Sequence, residues 1–410
     1  MLLSPQVKVS YSARNCTRCC ASRKDELGPG VLSQNRRWFL SVGLGVLRFS
    51  SSRASARRPT ASQVIPLRWE AGGFYLQFCL DGRLTEDKKP KRIYAVADTG
   101  SPFLLVAKCL RDDCPAYCAE VGCFEGEGQP SGDPDSFEGY ASGLVEVQWR
   151  SRGRVSFPDA NNTTPELSNI RFGVQGRVIG FGGTGKAVFF GLIRDHMSDV
   201  KPSFLEQTPF KVLTVDLRHP GRETLELAAE KPVALGEASR TIKLEDPQRW
   251  GDPVKHYCAV ATVRIAGQAI AATNNVSPRK VLAIFDTGTT GASMTRGLYD
   301  AYLQLAKHNS SSGMSWSQAR RMEVVFDSDV TFEMQRGKHS AYGIGLDLVT
   351  PIDEMAWAGV GPSESIANYK VPGGAHDERP FEDVMLMGLG FLVGKKLAVD
   401  TVRDELTVTA

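Results

Sequence analysis

Asp98-Thr99-Gly100-Ser101 returns 188 residues later as Asp286-Thr287-Gly288-Thr289, and the reading of this repeat decides the fold. Each copy follows an apolar run, Tyr94-Ala95-Val96-Ala97 in the first case and Val281-Leu282-Ala283-Ile284-Phe285 in the second. Runs of this length and type are buried strands, so each aspartate is expected at a strand tip. The glycine allows a tight turn that brings backbone N–H groups to the carboxylate, and the hydroxyl one residue on can hydrogen-bond it as well. A single Asp-x-Gly is ordinarily only a turn. Two copies with matching flanks point instead to two halves of one site. Two carboxylates held in contact cannot both ionise, so they share a proton and titrate as a pair. One then serves as base and the other as acid.

At these residues the chain resembles the pepsin-like aspartic proteases, from about Leu67 to the C-terminus, as a divergent member of plant or algal type. The family's flap tip has its counterpart in Tyr140-Ala141-Ser142-Gly143, with Tyr140 as the flap tyrosine and Ser142 beside it. The family's hydrophobic-hydrophobic-Gly segments match Phe189-Phe190-Gly191 and Leu386-Met387-Gly388. Leu386 to Leu392, Leu397-Ala398-Val399-Asp400 and Leu406-Thr407-Val408 look like its last strands. The resemblance implies a mostly-β, bilobal fold, with two related β-barrel-like lobes and the active site in the cleft between them. It implies an aspartic endopeptidase in which Asp98 and Asp286 activate a water, with no metal or organic cofactor. Ser101 and Thr289 would steady the outer carboxylate oxygens, Thr99 and Thr287 would lock the two turns together, and Gly100 and Gly288 would make the turns. The chain departs from the family at Pro102, at Leu105 where pepsins place a tryptophan, at Ala141 and at Leu389. A catalytically silent relative that binds a peptide or protein in the cleft is the competing expectation.

The chain has 410 residues, 42% of them apolar and 9% aromatic, ample for two cores. Alternating apolar stretches such as Phe74 to Phe78 and Ala259 to Ile265 make a mostly-β pattern. One helix is predicted after the second motif, with Leu298, Tyr302, Leu305 and Ala306 on one face, Thr295 as cap and Asn309 as stop. Ser310-Ser311-Ser312-Gly313 reads as a loop. The lobes are expected at 67–240 and 241–410, meeting near 236–250, after a short linker or prosegment remnant at 57–66.

Residues 1–56 differ in kind, with nine Lys and Arg against Asp25 and Glu26. Asn35-Arg36-Arg37-Trp38-Phe39-Leu40 resembles a twin-arginine signal, followed by the apolar stretch Val42 to Leu47 and the cleavage-site-like Ala54-Ser55-Ala56. The apolar stretch is too short to span a membrane. The acid-poor segment ahead of it looks like a plastid transit peptide, so the address read here is the chloroplast and its thylakoid lumen. An ordinary organelle presequence, a basic prosegment over the carboxylates, and a secretory or vacuolar route are the alternatives. The whole chain carries +3, and without this segment the charge turns negative, which gives no reason to expect nucleic-acid binding. The expected partner is a peptide or protein substrate, met by a monomer with no stable membrane insertion.

Nine cysteines comprise Cys16, Cys19 and Cys20 in the leader, Cys79 and Cys258 in strand-like runs, and the close group Cys109, Cys114, Cys118 and Cys123. By resemblance to the disulfide loop that follows the family's first aspartate, and to the richer insert of some plant members, the close group implies two disulfides and an oxidising compartment. Zinc is the alternative, but there are no paired Cys-x2-Cys knuckles and no nearby histidine. Gly180 to Lys186 mimics a phosphate-binding loop. Ala187 stands where magnesium binding needs Ser or Thr, and the βα alternation is missing, so the stretch reads as a glycine-rich loop. The six histidines show no metal spacing. Sequons at Asn161, Asn162, Asn275 and Asn309 matter only on the secretory route.

Overall fold

The computed structural model describes residues 62–84, 90–108, 118, 122–124, 128–132, 135–140, 143–158, 167–179, 188–194, 202–230, 239–250, 254–272, 277–334, 342, 344, 348–352 and 379–409. They belong to one compact unit, Arg57–Ala410. Residues 1–56, read from sequence as a targeting leader, Cys109, Cys114, Ser142, the glycine-rich stretch 180–187 and the sequons at Asn161, Asn162 and Asn275 lie outside the described residues.

The fold is mostly β, with curled sheets. The first half runs β1 (Ser62–Pro66), β2 (Arg68–Glu70), β3 (Gly73–Leu84), β4 (Pro90–Asp98), β5 (Leu104–Ala107), β6 (Gln129–Pro130), β7 (Ser136–Tyr140), β8 (Gly143–Ser156), β9 (Leu167–Ile179), β10 (Phe189–Gly191), β11 (Val212–Asp216) and β12 (Thr224–Ala228). The second half runs β13 (Arg240–Lys243), β14 (Cys258–Ile265), β15 (Gln268–Ala269), β16 (Lys280–Phe285), β17 (Ala292–Met294), β18 (Met322–Phe326), β19 (Thr331–Glu333), β20 (Val349–Pro351), β21 (Asp383–Met387), β22 (Lys396–Asp400) and β23 (Glu405–Thr409).

Two sheets repeat one pattern. In the first, β10 enters between β4 and β5, parallel to β4 and antiparallel to β5, and β5 then pairs in parallel with β9. In the second, β21 enters between β16 and β17 with the same senses, and β17 pairs in parallel with β20. The aspartate-bearing strand is thus flanked in each half by a strand from far along the chain. Long-range pairing of this kind needs apolar strands on both sides, which β16 and β21 supply: among their residues only Lys280 is not buried.

A third sheet, ordered β1-β12-β11-β22-β23-β13, is antiparallel throughout and draws its strands from both halves. Its centre is the β11–β22 pair, and each side outward carries one hairpin and one leading strand. The same two-fold relation therefore governs all three sheets. Ser62–Pro66, assigned from sequence to a linker, is an integral strand of this sheet with Gln63 and Ile65 buried.

The predicted helix spans Arg296–Ser311 and buries Leu298, Tyr302 and Ala306, while Leu305 is partly buried. Its end differs from expectation. Asn309 is buried inside the helix, and Ser310 and Ser311 continue it, so neither the stop nor a glycan at Asn309 is compatible with the fold. Packing of its apolar face carries the helix past a residue whose local preference is to end it. Thr295 stands at the N-terminus without capping, because its hydroxyl is committed to Asp383 Oδ1. Among the described residues no helix is long and apolar enough to cross a membrane.

Candidate active site

Asp98 ends β4 and Asp286 follows β16, as the apolar flanks predict. Neighbouring strands fix each turn from behind. Asp98 O accepts from Leu192 N–H (2.8 Å), Ser101 O from Ile193 N–H (3.0 Å), and Met387 O accepts from Asp286 N–H (3.1 Å). The hydrophobic-hydrophobic-Gly segments set up these contacts: Gly191 lies beside Asp98 in register, with Leu192 and Ile193 directly after it, and Met387 lies beside Phe285.

The two motifs meet. Thr99 N–H donates to Thr287 Oγ1 (3.0 Å), and Thr287 N–H donates to Thr99 Oγ1 (2.9 Å). Each hydroxyl then donates across to the opposite half, Thr99 to Phe285 O (2.8 Å) and Thr287 to Ala97 O (2.5 Å). Both threonines are buried, so these four bonds form where an unmet donor is costly. The arrangement makes the turns one rigid block.

That block presses each carboxyl over the glycine of the other turn. A Cβ on Gly100 would lie 2.5 Å from Asp286 Oδ1, and one on Gly288 would meet Asp98 Oδ1 closer still. Only glycine permits this approach. Gly100 N–H donates to Asp98 Oδ1 and Gly288 N–H to Asp286 Oδ1, both at 2.8 Å. Asp98 and Asp286 are both buried, each carboxyl set against the opposite turn.

The symmetry stops at the hydroxyls. Thr289 Oγ1 donates to Asp286 Oδ2 at 2.6 Å, as expected. Ser101, expected to do the same for Asp98, is buried with no hydrogen-bond partner for Oγ. Its backbone is pinned through Ser101 O and, one residue on, through Pro102 O, which accepts from Phe204 N–H (3.0 Å). The proline ring restricts this segment further. Burial pushes the Asp98 carboxyl well above its usual range and the charge of Asp286 raises it further, against a smaller opposing effect of the Gly100 N–H. The raised Asp98 carboxyl favours its neutral form, and the Asp286 carboxyl beside it accepts from two donors, Gly288 N–H and the Thr289 hydroxyl. A neutral acid beside a carboxylate is equipped to donate and accept protons in one step.

Tyr140 ends β7 and pairs with Gly143 of β8. Trp149 of β8 braces this hairpin: its Nε1–H donates to Ser136 Oγ (2.8 Å), and its ring meets Phe103 edge-on at 4.9 Å. Phe103, Leu105, Val145, Val147 and Trp149 form a buried cluster behind the Asp98 turn. Sequence reasoning missed Trp149, although a lone tryptophan in an alternating stretch was the available signal.

Cys118 and Cys123 are joined in a disulfide, and as a disulfide they cannot serve as thiolate zinc ligands. Cys79 and Cys258 are buried. Among the described residues no group of three or more His, Cys, Asp or Glu is placed to hold a metal ion. Compared with known proteins, the chain matches no family model and no curated sequence, so the reading of this site rests on its own geometry.

Proposed function

We propose that the chain is an aspartic-type endopeptidase with a pepsin-like, bilobal fold. The observation that carries this reading is the reciprocal placement of the two Asp-Thr-Gly turns, each carboxyl over the other turn's glycine and the two turns locked by the paired threonines. In the proposed reaction Asp286, as carboxylate, takes a proton from a water. The oxygen attacks the peptide carbonyl carbon while Asp98 gives its proton to the carbonyl oxygen. The tetrahedral diol then collapses, the C–N bond breaks, and the nitrogen leaves with a proton returned from the pair. No covalent enzyme intermediate forms and no cofactor takes part. Tyr140 and Ser142, by the family resemblance, are proposed to close over the substrate. The replacement of the family's tryptophan by Leu105 is offset, in this reading, by Trp149 bracing the hairpin. The basic leader is proposed to direct the chain to the chloroplast and its thylakoid lumen.

One observation favours the silent, peptide-binding reading: the partnerless hydroxyl of Ser101. Incubation of the full chain with an unstructured protein, followed by mass spectrometry of the products, separates the two. Internal cleavage is expected, with Asp98→Asn and Asp286→Asn each reducing it by at least about a hundredfold. Absence of cleavage, or equal cleavage by either variant, contradicts the proposal.

A further inference from the structure

Besides the threonine pair, one side chain links the two aspartate-bearing segments. Tyr257 stands immediately before β14, and its carbonyl accepts from the N–H of Phe285 (2.9 Å), the residue that precedes Asp286. Its side chain is buried and reaches the other half. There the Tyr257 hydroxyl donates to Leu192 O (2.7 Å) and accepts from Arg194 N–H (3.0 Å). Leu192 N–H in turn donates to Asp98 O (2.8 Å). A single residue therefore stands one hydrogen bond from Phe285, next to Asp286, and two from the carbonyl of Asp98.

The segment that the hydroxyl holds is anchored on its far side as well, where Arg194 Nη1 donates to Leu205 O (3.0 Å) and to Phe210 O. Leu192, Tyr257 and Phe285 belong to the main core. Phenylalanine would fill the same space there, so packing alone does not call for a hydroxyl. What the hydroxyl adds is one donor and one acceptor, both committed to backbone groups of the opposite half, in a place where an unmet partner is costly.

Thr99 and Thr287 join the turns at the residue after each aspartate, and Tyr257 joins the layer behind them. Little slack exists at the carboxyls: each lies against the opposite glycine, and the charge of Asp286 acts on Asp98. Interaction between charges falls with distance, so a small shift of one half against the other changes both the aim of the carboxyls and their coupling. We infer that Tyr257 is a positioning residue for the proposed reaction, its hydroxyl holding the Asp98 and Asp286 segments at the spacing the carboxyl pair requires. The inference rests on the proteolytic reading and adds a residue to its machinery.

Tyr257→Phe removes the hydroxyl and keeps the ring. In the full chain cleaving one peptide, this variant is expected to lower kcat about tenfold while KM changes by less than about twofold. The two apparent ionisations of its pH profile are expected to lie closer together, because looser carboxyls couple less. Ionisations that stay where the native chain has them overturn the inference, whatever the rate, and leave the proteolytic reading standing. If the native chain cleaves no peptide, that reading fails by itself, and stability decides whether Tyr257 positions the pair. Urea denaturation gives the cost of Tyr257→Phe in the native and in the Asp98→Asn background. Separating two carboxyls relieves repulsion at neutral pH only where both are present. The cost is therefore expected to be smaller in the native background at neutral pH and equal in the two backgrounds in acid. Glu245, Lys255, His256 and Asp404, which with Tyr257 and Arg194 line a cavity of about 10 Å³, are present in both backgrounds and cancel. Equal costs at both pH values overturn the inference. Should Tyr257→Phe not fold, Arg194→Lys loosens the same segment from its far side and is put through the same measurements, with the same expected results.

Discussion

Asp98 and Asp286 arise from near-identical motifs, yet their hydrogen-bond surroundings differ. Thr289 donates to Asp286, whereas Ser101 leaves Asp98 with the Gly100 N–H and the carboxyl opposite. Because the folded state raises the Asp98 carboxyl above its unfolded value, the folded chain binds that proton more tightly. The resulting stability is full below the ordinary carboxyl range and is lost as pH rises through the raised value. Asp98→Asn cannot ionise, so this variant is expected to be more stable than the native chain near neutral pH, with the advantage shrinking in acid. Urea denaturation at both pH values checks this, and a pH-independent difference would contradict it. The paired aspartates, their glycines and the interlocking threonines are legible in the sequence because the motif encodes their local geometry. The inequality of Ser101 and Thr289 is not. Both are hydroxyl residues at the same motif position, and both carbonyls accept from a distant segment, Ser101 O from Ile193 N–H and Thr289 O from Leu389 N–H, so nothing local in the motif sets them apart.

At the scale of elements, the support for Asp286 runs through β21. Asp383, at its first position, is buried, pairs with Arg279 and accepts from the Thr295 hydroxyl. It thus ties the approach to β16, the start of the helix Arg296–Ser311, and the strand whose Met387 O holds the Asp286 N–H. Asp383→Ala leaves a mostly buried guanidinium with only the more distant Glu382 opposite, at 4.0 Å. Loss of about 3 kcal/mol of stability is expected from breaking one side of such a pair, read as a lower urea midpoint, and an unchanged midpoint would contradict the role. Sequence patterning found the helix through its apolar spacing but ended it at Asn309, because packing overrides the local preference. It took Ser62–Pro66 for a linker because a five-residue strand has little pattern of its own, and its partner, β12, lies far along the chain: Ser62 and Glu226 hydrogen-bond across 164 residues.

In the molecule as a whole, the two-fold relation seen at the aspartates extends through the six-stranded sheet, where β11 and β22 join the halves. Leu217 N–H donates to Lys395 O (2.8 Å) and Gly394 N–H to Leu217 O (2.9 Å), closing the edge of that joint. A shared sheet keeps two separately folded turns in register, which a pair of carboxyls in contact requires. The repeated Asp-Thr-Gly motif announced the duplication, but the shared sheet could not be read, since its strands match only by pairing over long separations. Asp98 and Asp286 are proposed to work as one acid–base pair, and the pH dependence of kcat/KM for a single peptide cleaved by the full chain is the measurement that bears on this first. A bell lying in the acid range is expected, bounded by two apparent ionisations that belong to the pair. A rate that climbs steadily into alkaline pH would contradict it.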